Sequence, residues 1–213
     1  MDKLAVFDFD STLMDGETID FFARPLGLMD EVAAITEDAM AGRIDFFMAL
    51  VERARLLKGL DVAVATQICD SLPMMPGALE AVSGLHEMGY RVVCFSGGFR
   101  QATKPMSERL GIDADFANFL YVDEDGKLTG EVGGEMMYSD AKGDMLVRLQ
   151  ALMGIGRDKT LVIGDGANDL SMFAHADTRI AFNAREILRQ AATHTIDTKN
   201  LTEVVEIARH CGL

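Results

Sequence analysis

The chain predicts an α/β protein: a doubly wound, mainly parallel sheet with a small helical insertion after its first strand and a short β-hairpin. Three observations carry that prediction. From residue 78 onward, short apolar runs alternate with amphipathic helical stretches, as in parallel strands joined by crossover helices. Between the first apolar run and residue 71 the pattern is helical throughout. And residues 119–132, FLYVDEDGKLTGEV, hold two β-type runs about Asp125-Gly126, a hairpin signal.

Each element follows from its local pattern. Leu4-Ala5-Val6-Phe7 reads as a strand running straight into Asp8 and Asp10. Helices are expected at 17–25, 28–40, 44–58 and 61–70, separated by Pro25-Leu26-Gly27, Gly42 and Gly59. LPMMPGA (72–78) ends that series, which sets a core of residues 1–13 and 74–213 against an insertion of 14–73. Then come a helix in ALEAVSGLHEMG, a strand in RVVCFS and a helix in FRQATKPMSERLG, with Pro105 near a turn or kink. The hairpin follows and decorates one rim. A helix opens after Ser139 or Asp140, KTLVIG is a strand, ANDLSMFAHA a helix, RIAF a short strand and AREILRQAA a helix. A last helix covers 201–209.

Composition narrows the function. Acidic residues number 34 against 20 basic ones, a formal charge of −14, which disfavours nucleic acid or an anionic membrane as partner. The same imbalance repels a small anionic ligand, so a phosphate site here needs its own local cation. Cys69, Cys94 and Cys211 are odd in number and show no CxxC spacing, so neither a disulfide framework nor a zinc site is expected. With no apolar run long enough to span a bilayer and acids near the N-terminus, the expectation is a soluble, cytoplasmic protein. The 14 methionines suit core packing. His86, His175, His194 and His210 have no ligand spacing and read as structural or surface residues.

Ligands of open α/β sheets bind beyond the carboxyl ends of the strands. Three strands end there in phosphate- or cation-binding residue types: Asp8-Phe9-Asp10-Ser11-Thr12, Ser96-Gly97-Gly98, and Gly164-Asp165-Gly166-Ala167-Asn168-Asp169. Asp8 and Asp10, two apart, are either solvated acids at a strand end or a nucleophile and acid/base partner beside a metal. Asp165 supplies a third carboxylate, and Mg²⁺ takes oxygen ligands, so Asp8 and Asp165 are candidate metal ligands. Ser96 offers a hydroxyl, and Gly97-Gly98 let backbone N–H groups approach an anion, or simply make a strand-to-helix turn. Lys142, near a helix start, is either a solvated side chain or the cation the phosphate needs. Asn168 and Asp169 fit both an N-cap pair and a place around the metal.

In this order, DFDST, SGG, a lysine and GDGAND resemble the motifs of the haloacid dehalogenase-like hydrolase superfamily, over essentially the whole chain. DFDSTLMDGETID, SGGF (96–99), AKG (141–143), GDGANDLSMF and IAFNA (180–184) most resemble its phosphoserine phosphatase family. The resemblance implies that Asp8 is the nucleophile and Asp10 the general acid and later base. It implies that Asp8, Asp165 and the Asp10 carbonyl hold Mg²⁺, and that Asp169 supports the metal shell. Ser96, Gly97 and Lys142 would hold the phosphoryl oxygens, and Asn168 would join them or orient substrate. The insertion corresponds to the family's helical cap. There Glu17 matches the residue that binds the substrate ammonium, Arg53 the one that binds its carboxylate, with Arg55 the rival. Met40 and Phe46 match apolar residues that cover the substrate.

The activity so implied is hydrolysis of O-phospho-L-serine through an aspartyl-phosphate, as in serine biosynthesis. The partner is then a small phosphomonoester, and the chain a monomer or homodimer. Phosphohomoserine is the alternative substrate. A receiver-type phospho-accepting domain shares the clustered acids and lysine but needs neither a closed cap nor Asp10, and the helical insertion argues against it.

Overall fold

In a computed structural model that describes residues 3–40 and 43–211, β1 (Lys3–Asp8) is the middle strand of a seven-stranded sheet. The order is β4-β3-β2-β1-β5-β6-β7. β2 (Tyr90–Phe99) and β5 (Thr160–Gly164) flank β1 in parallel, with Asp8 opposite Phe95 and Phe7 opposite Ile163. Outward from β5 lie β6 (Thr178–Phe182) and β7 (His194–Ile196), also parallel. Outward from β2 lies β3 (Ala114–Val122), parallel to it, and then β4 (Leu128–Gly134), antiparallel.

Strand alternation sorts β1 between two apolar layers. Ala5 and Phe7 face a cluster with α5 (Ala78–Glu87), α6 (Arg100–Leu110) and α10 (Glu203–His210), through Val82, Met106 and Val204. Leu4 and Val6 face the other way, onto α7 (Ala141–Met153), α8 (Leu170–Phe173) and α9 (Glu186–Arg189), through Leu146, Phe173 and Leu188. The doubly wound architecture is therefore the one that the sequence predicts.

Four helices follow β1: α1 (Thr18–Ala23), α2 (Met29–Met40), α3 (Phe46–Leu56) and α4 (Val62–Asp70). Asp45 and Asp61 cap α3 and α4 by accepting from backbone N–H groups of the first turn. The chain's way into this insertion is bonded to its way out, Asp15 N–H to the Pro73 carbonyl and Met75 N–H to the Leu13 carbonyl, both at 2.9 Å. On that pairing we propose the boundaries 1–13 with 74–213 for the sheet body and 14–73 for the insertion.

Three details differ from the sequence reading. The hairpin is no rim decoration: β3 begins at Ala114 and both its strands belong to the main sheet. β7, three residues long, was not expected, because so short a run carries no periodicity. Pro105 lies inside α6, which begins at Arg100 because β2 continues past Ser96 to Phe99. Among the described residues no helix is long and apolar enough to cross a membrane.

Candidate active site

The carboxyl ends of β1, β2 and β5 meet at one edge of the sheet, and the acids stand there. Asp8, the last residue of β1, is buried, and its Oδ1 accepts from Lys142 Nζ at 2.5 Å. The same ammonium donates to Asp169 Oδ1 at 2.6 Å. Lys142 is itself 3% exposed, so it is no solvated side chain. Burial alone would favour the neutral amine, but Asp169 and then Asp8 outweigh it and hold the pKa above the usual lysine value. Burial pushes the Asp8 carboxyl up, against the pull of Lys142.

Asp10 lies beyond the strand, and its Oδ1 accepts twice from Thr18, from N–H at 2.7 Å and from Oγ1 at 2.6 Å. That leaves Oδ2 without those donors. A Cβ placed on Gly98 would come 2.6 Å from Oδ2, so the second oxygen lies directly over Gly98. Burial raises the Asp10 pKa, which suits a group that must carry a proton near neutral pH.

Ser96, Gly97 and Gly98 occupy a bulge. The β2–β3 register slips between Ser96 and Phe99, which frees the two glycines from the ladder. Gly98 N–H donates to Ser96 Oγ at 2.9 Å. Gly97 and Lys142 line a small cleft with Asn168, Met136 and Phe47 of α3. The structure thus brings Ser96, Gly97, Lys142 and Asn168 to the edge where Asp8 stands.

Asp165 follows β5. Burial, then repulsion from Asp8 and Asp169, pushes it up to about 9; the same causes, burial and Asp8, put Asp169 at about 6. Asp8, Asp165 and Asp169 each offer an oxygen within 4.8 Å of the others. A set of oxygen donors, crowded and short of positive charge, fits a hard divalent cation. Both oxygens of Asp169 already have partners: Oδ1 has Lys142, and Oδ2 accepts from Asp165 N–H at 3.0 Å and Gly166 N–H at 3.1 Å. Asp8 and Asp165 thus keep more oxygen free to meet a cation, whereas Asp169 is occupied with its neighbours.

The insertion supplies an opposite-charge pair. Ser11, at φ 58 in the left-handed region, turns the chain so that its hydroxyl donates to Glu17 Oε1 at 2.7 Å. Glu17 keeps one solvent-exposed flank, yet lost hydration around its carboxyl and the charge of Asp10 push it up to about 8. Arg53 on α3 is buried, with Glu17, Asp10 and Asp20 as its charged neighbours. Its Nε donates to the Ala49 carbonyl at 3.2 Å and its Nη1 to Thr36 Oγ1 at 3.3 Å. Arg55 points away, exposed and paired with Glu52. The side chains of Met40 and Phe46 lie outside the described residues.

Sequence reasoning missed Thr18 and Asn118. Thr18 sits at the start of α1, where a hydroxyl and a free N–H converge on one acceptor; the signal was a threonine at a helix start. Asn118 is fully buried. It donates to the carbonyls of Gly97 (3.0 Å) and Met136 (3.2 Å) and accepts from Met136 N–H (2.9 Å), so it pins the glycine bulge. No local pattern announces those partners.

Comparison with known proteins agrees with this geometry. A family model for haloacid dehalogenase-like hydrolases matches residues 3–177. The phosphoserine phosphatase of Wolinella succinogenes is 52% identical over 203 residues, 95% of this chain and 98% of that protein. A solved phospho-aspartyl intermediate analogue of phosphoserine phosphatase superposes with a TM-score of 0.91 at 42% identity, covering 97% of this chain and 98% of that one. A substrate-bound phosphoserine phosphatase complex gives 0.91 at 41% identity, with 97% and 98% covered. With the motifs in place at the strand ends and the match running through the insertion, the chain belongs to the haloacid dehalogenase-like hydrolases.

Proposed function

We propose that the protein is a Mg²⁺-dependent phosphatase that hydrolyses O-phospho-L-serine to L-serine and phosphate through an aspartyl-phosphate on Asp8. One juxtaposition carries the reading. A lysine-held carboxylate and a second carboxylate with one open oxygen stand beside an anion–cation pair, Glu17 and Arg53. The first two residues suit phosphoryl transfer, and the pair suits the ammonium and carboxylate of an amino acid. The similarity to phosphoserine phosphatases supports the same substrate.

In the first half-reaction an Asp8 carboxylate oxygen forms a bond to phosphorus as the bond to the serine oxygen breaks. Asp10 gives its proton, from the oxygen over Gly98, to that departing oxygen. In the second, Asp10 takes a proton from water, the water oxygen bonds to phosphorus, and Asp8 is released. Lys142, the Ser96 hydroxyl, the Gly97 N–H and Asn168 hold the phosphoryl oxygens. Mg²⁺, held by Asp8, Asp165 and the Asp10 carbonyl, would supply positive charge to those oxygens. Asp169 keeps Lys142 and the amides of Asp165 and Gly166 in place.

A substrate panel with Mg²⁺ tests the reading: O-phospho-L-serine, its D enantiomer, phosphohomoserine and phosphoethanolamine. The expected order puts O-phospho-L-serine first in kcat/KM by roughly tenfold or more, since losing one charged hydrogen-bonded group costs about 1.5–3 kcal/mol. Equal turnover of phosphoethanolamine, or a preference for phosphohomoserine, overturns it.

A further inference from the structure

A buried guanidinium needs its donors aimed at partners, and those partners fix the direction of the rest of the fork. Arg53 has two partners within the insertion, the Ala49 carbonyl and the Thr36 hydroxyl. Ala49 lies one turn earlier on α3 and moves with Arg53. Thr36 stands on α2, so it alone of the two ties the guanidinium to another helix. The Thr36 proton is committed elsewhere, because its hydroxyl donates to the Val32 carbonyl at 2.9 Å. An oxygen lone pair is thereby turned toward Arg53. With Nε spent on Ala49 and one Nη1 proton on Thr36, one edge of the fork remains, made of the two Nη nitrogens. That edge can grip a carboxylate with two parallel bonds.

We propose that Thr36 is a positioning residue for substrate specificity: its hydroxyl sets the rotation of the Arg53 guanidinium so that the Nη edge meets the substrate carboxylate. This rests on the reading of Arg53 given above. Thr36 does no chemistry on phosphorus, so its removal weakens recognition of the carboxylate and leaves phosphate handling alone.

The test compares Thr36→Val, which keeps the shape and removes the acceptor, with Thr36→Ser, which keeps the hydroxyl. KM and kcat are measured for O-phospho-L-serine and phosphoethanolamine, and inhibition constants for L-serine and inorganic phosphate. For Thr36→Val the KM for O-phospho-L-serine and the inhibition constant of L-serine rise roughly five- to tenfold, the scale of one typical net hydrogen bond. The phosphoethanolamine KM and the phosphate inhibition constant stay put, kcat holds within about twofold, and Thr36→Ser behaves as wild type. No rise, an equal rise with phosphoethanolamine or phosphate, or a serine variant as impaired as the valine one overturns the proposal. If Thr36→Val does not fold, Thr36→Ala takes its place with the same readouts. Arg53→Met, run alongside, separates the two readings. If it still discriminates O-phospho-L-serine from phosphoethanolamine, the assignment of Arg53 fails; if it loses that discrimination while Thr36→Val keeps it, only the role of Thr36 fails.

Discussion

At Asp10 the two carboxylate oxygens have different neighbours, and in the proposed acid–base role that difference assigns the proton to Oδ2. Thr18 occupies Oδ1 twice, and Oδ2 lies over Gly98. An added methyl at Gly98 would fall 2.6 Å from Oδ2 and 3.1 Å from Ser96 Oγ, so Gly98→Ala must displace the acid. Steady-state assays should find kcat reduced roughly 10–100-fold, as expected when a catalytic group is misplaced by about an ångström. A Gly98→Ala enzyme with normal kcat would mean that Oδ2 is not the proton-carrying oxygen. Asp8→Asn keeps the shape but loses the nucleophile, and phosphate release should fall to background in a phosphate assay. Asp10→Asn should lose roughly 10²–10⁴-fold in kcat while divalent-cation binding, followed by calorimetry, persists. Much at this scale was legible. Asp8, Asp10, Asp165 and Lys142 stand in motifs whose order could be read, and the structure gathers them. The choice of Arg53 over Arg55 could not be settled from the sequence, because it depends on which face of α3 packs inward. Thr18 and Asn118 escaped because their partners are set by folding, not by local spacing.

Among the elements, the hairpin of β3 and β4 fastens the insertion to the sheet. Leu128 exchanges backbone bonds with Gly59 and Leu60, its N–H to the Leu60 carbonyl and the Gly59 N–H to its carbonyl, each at 2.8 Å; Val62 N–H donates to the Gly126 carbonyl at 2.9 Å. Gly130 makes the approach possible. It has φ +83, and a Cβ there would lie 3.1 Å from the Arg55 carbonyl oxygen and from Lys58 Cβ. Gly130→Ala therefore meets both left-handed strain and a backbone contact. A loss of about 1–3 kcal/mol in chemical denaturation is expected, with faster amide exchange at Gly59, Val62 and Leu128 than in wild type. Unchanged exchange at those amides would show that the junction does not depend on this glycine. The sequence announced the hairpin through Asp125-Gly126 but not its role. Turn chemistry is local, whereas the union with α3 joins segments far apart in the chain.

For the molecule as a whole, part of the acidic excess lies at the site, where burial limits its hydration. Asp165 at about 9, Glu17 at about 8 and Asp169 at about 6 all sit above the ordinary carboxylate range, chiefly through burial. The metal-free fold thus binds more protons than the unfolded chain between about pH 4 and 9, and its stability falls as pH rises through that window. A divalent cation, competing with those protons, should reverse the trend. The rise in Tm on replacing EDTA with Mg²⁺ should be larger at pH 8 than at pH 6, by thermal melts. An equal or smaller rise at pH 8 would show that the acidic cluster does not couple metal to protons. The layered architecture was legible because alternation records which segments are strands. Strand order was not, since it is decided by packing between distant segments. That order places the first strand made in the middle of the sheet: Leu4 pairs with Arg91 on one side and with Thr160 on the other. During synthesis, then, β1 emerges from the ribosome long before either neighbour exists. Its apolar run must wait as an unpaired, aggregation-prone edge. Asp8 and Asp10 set negative charge at the end of that run, the position where charged residues oppose strand-to-strand association.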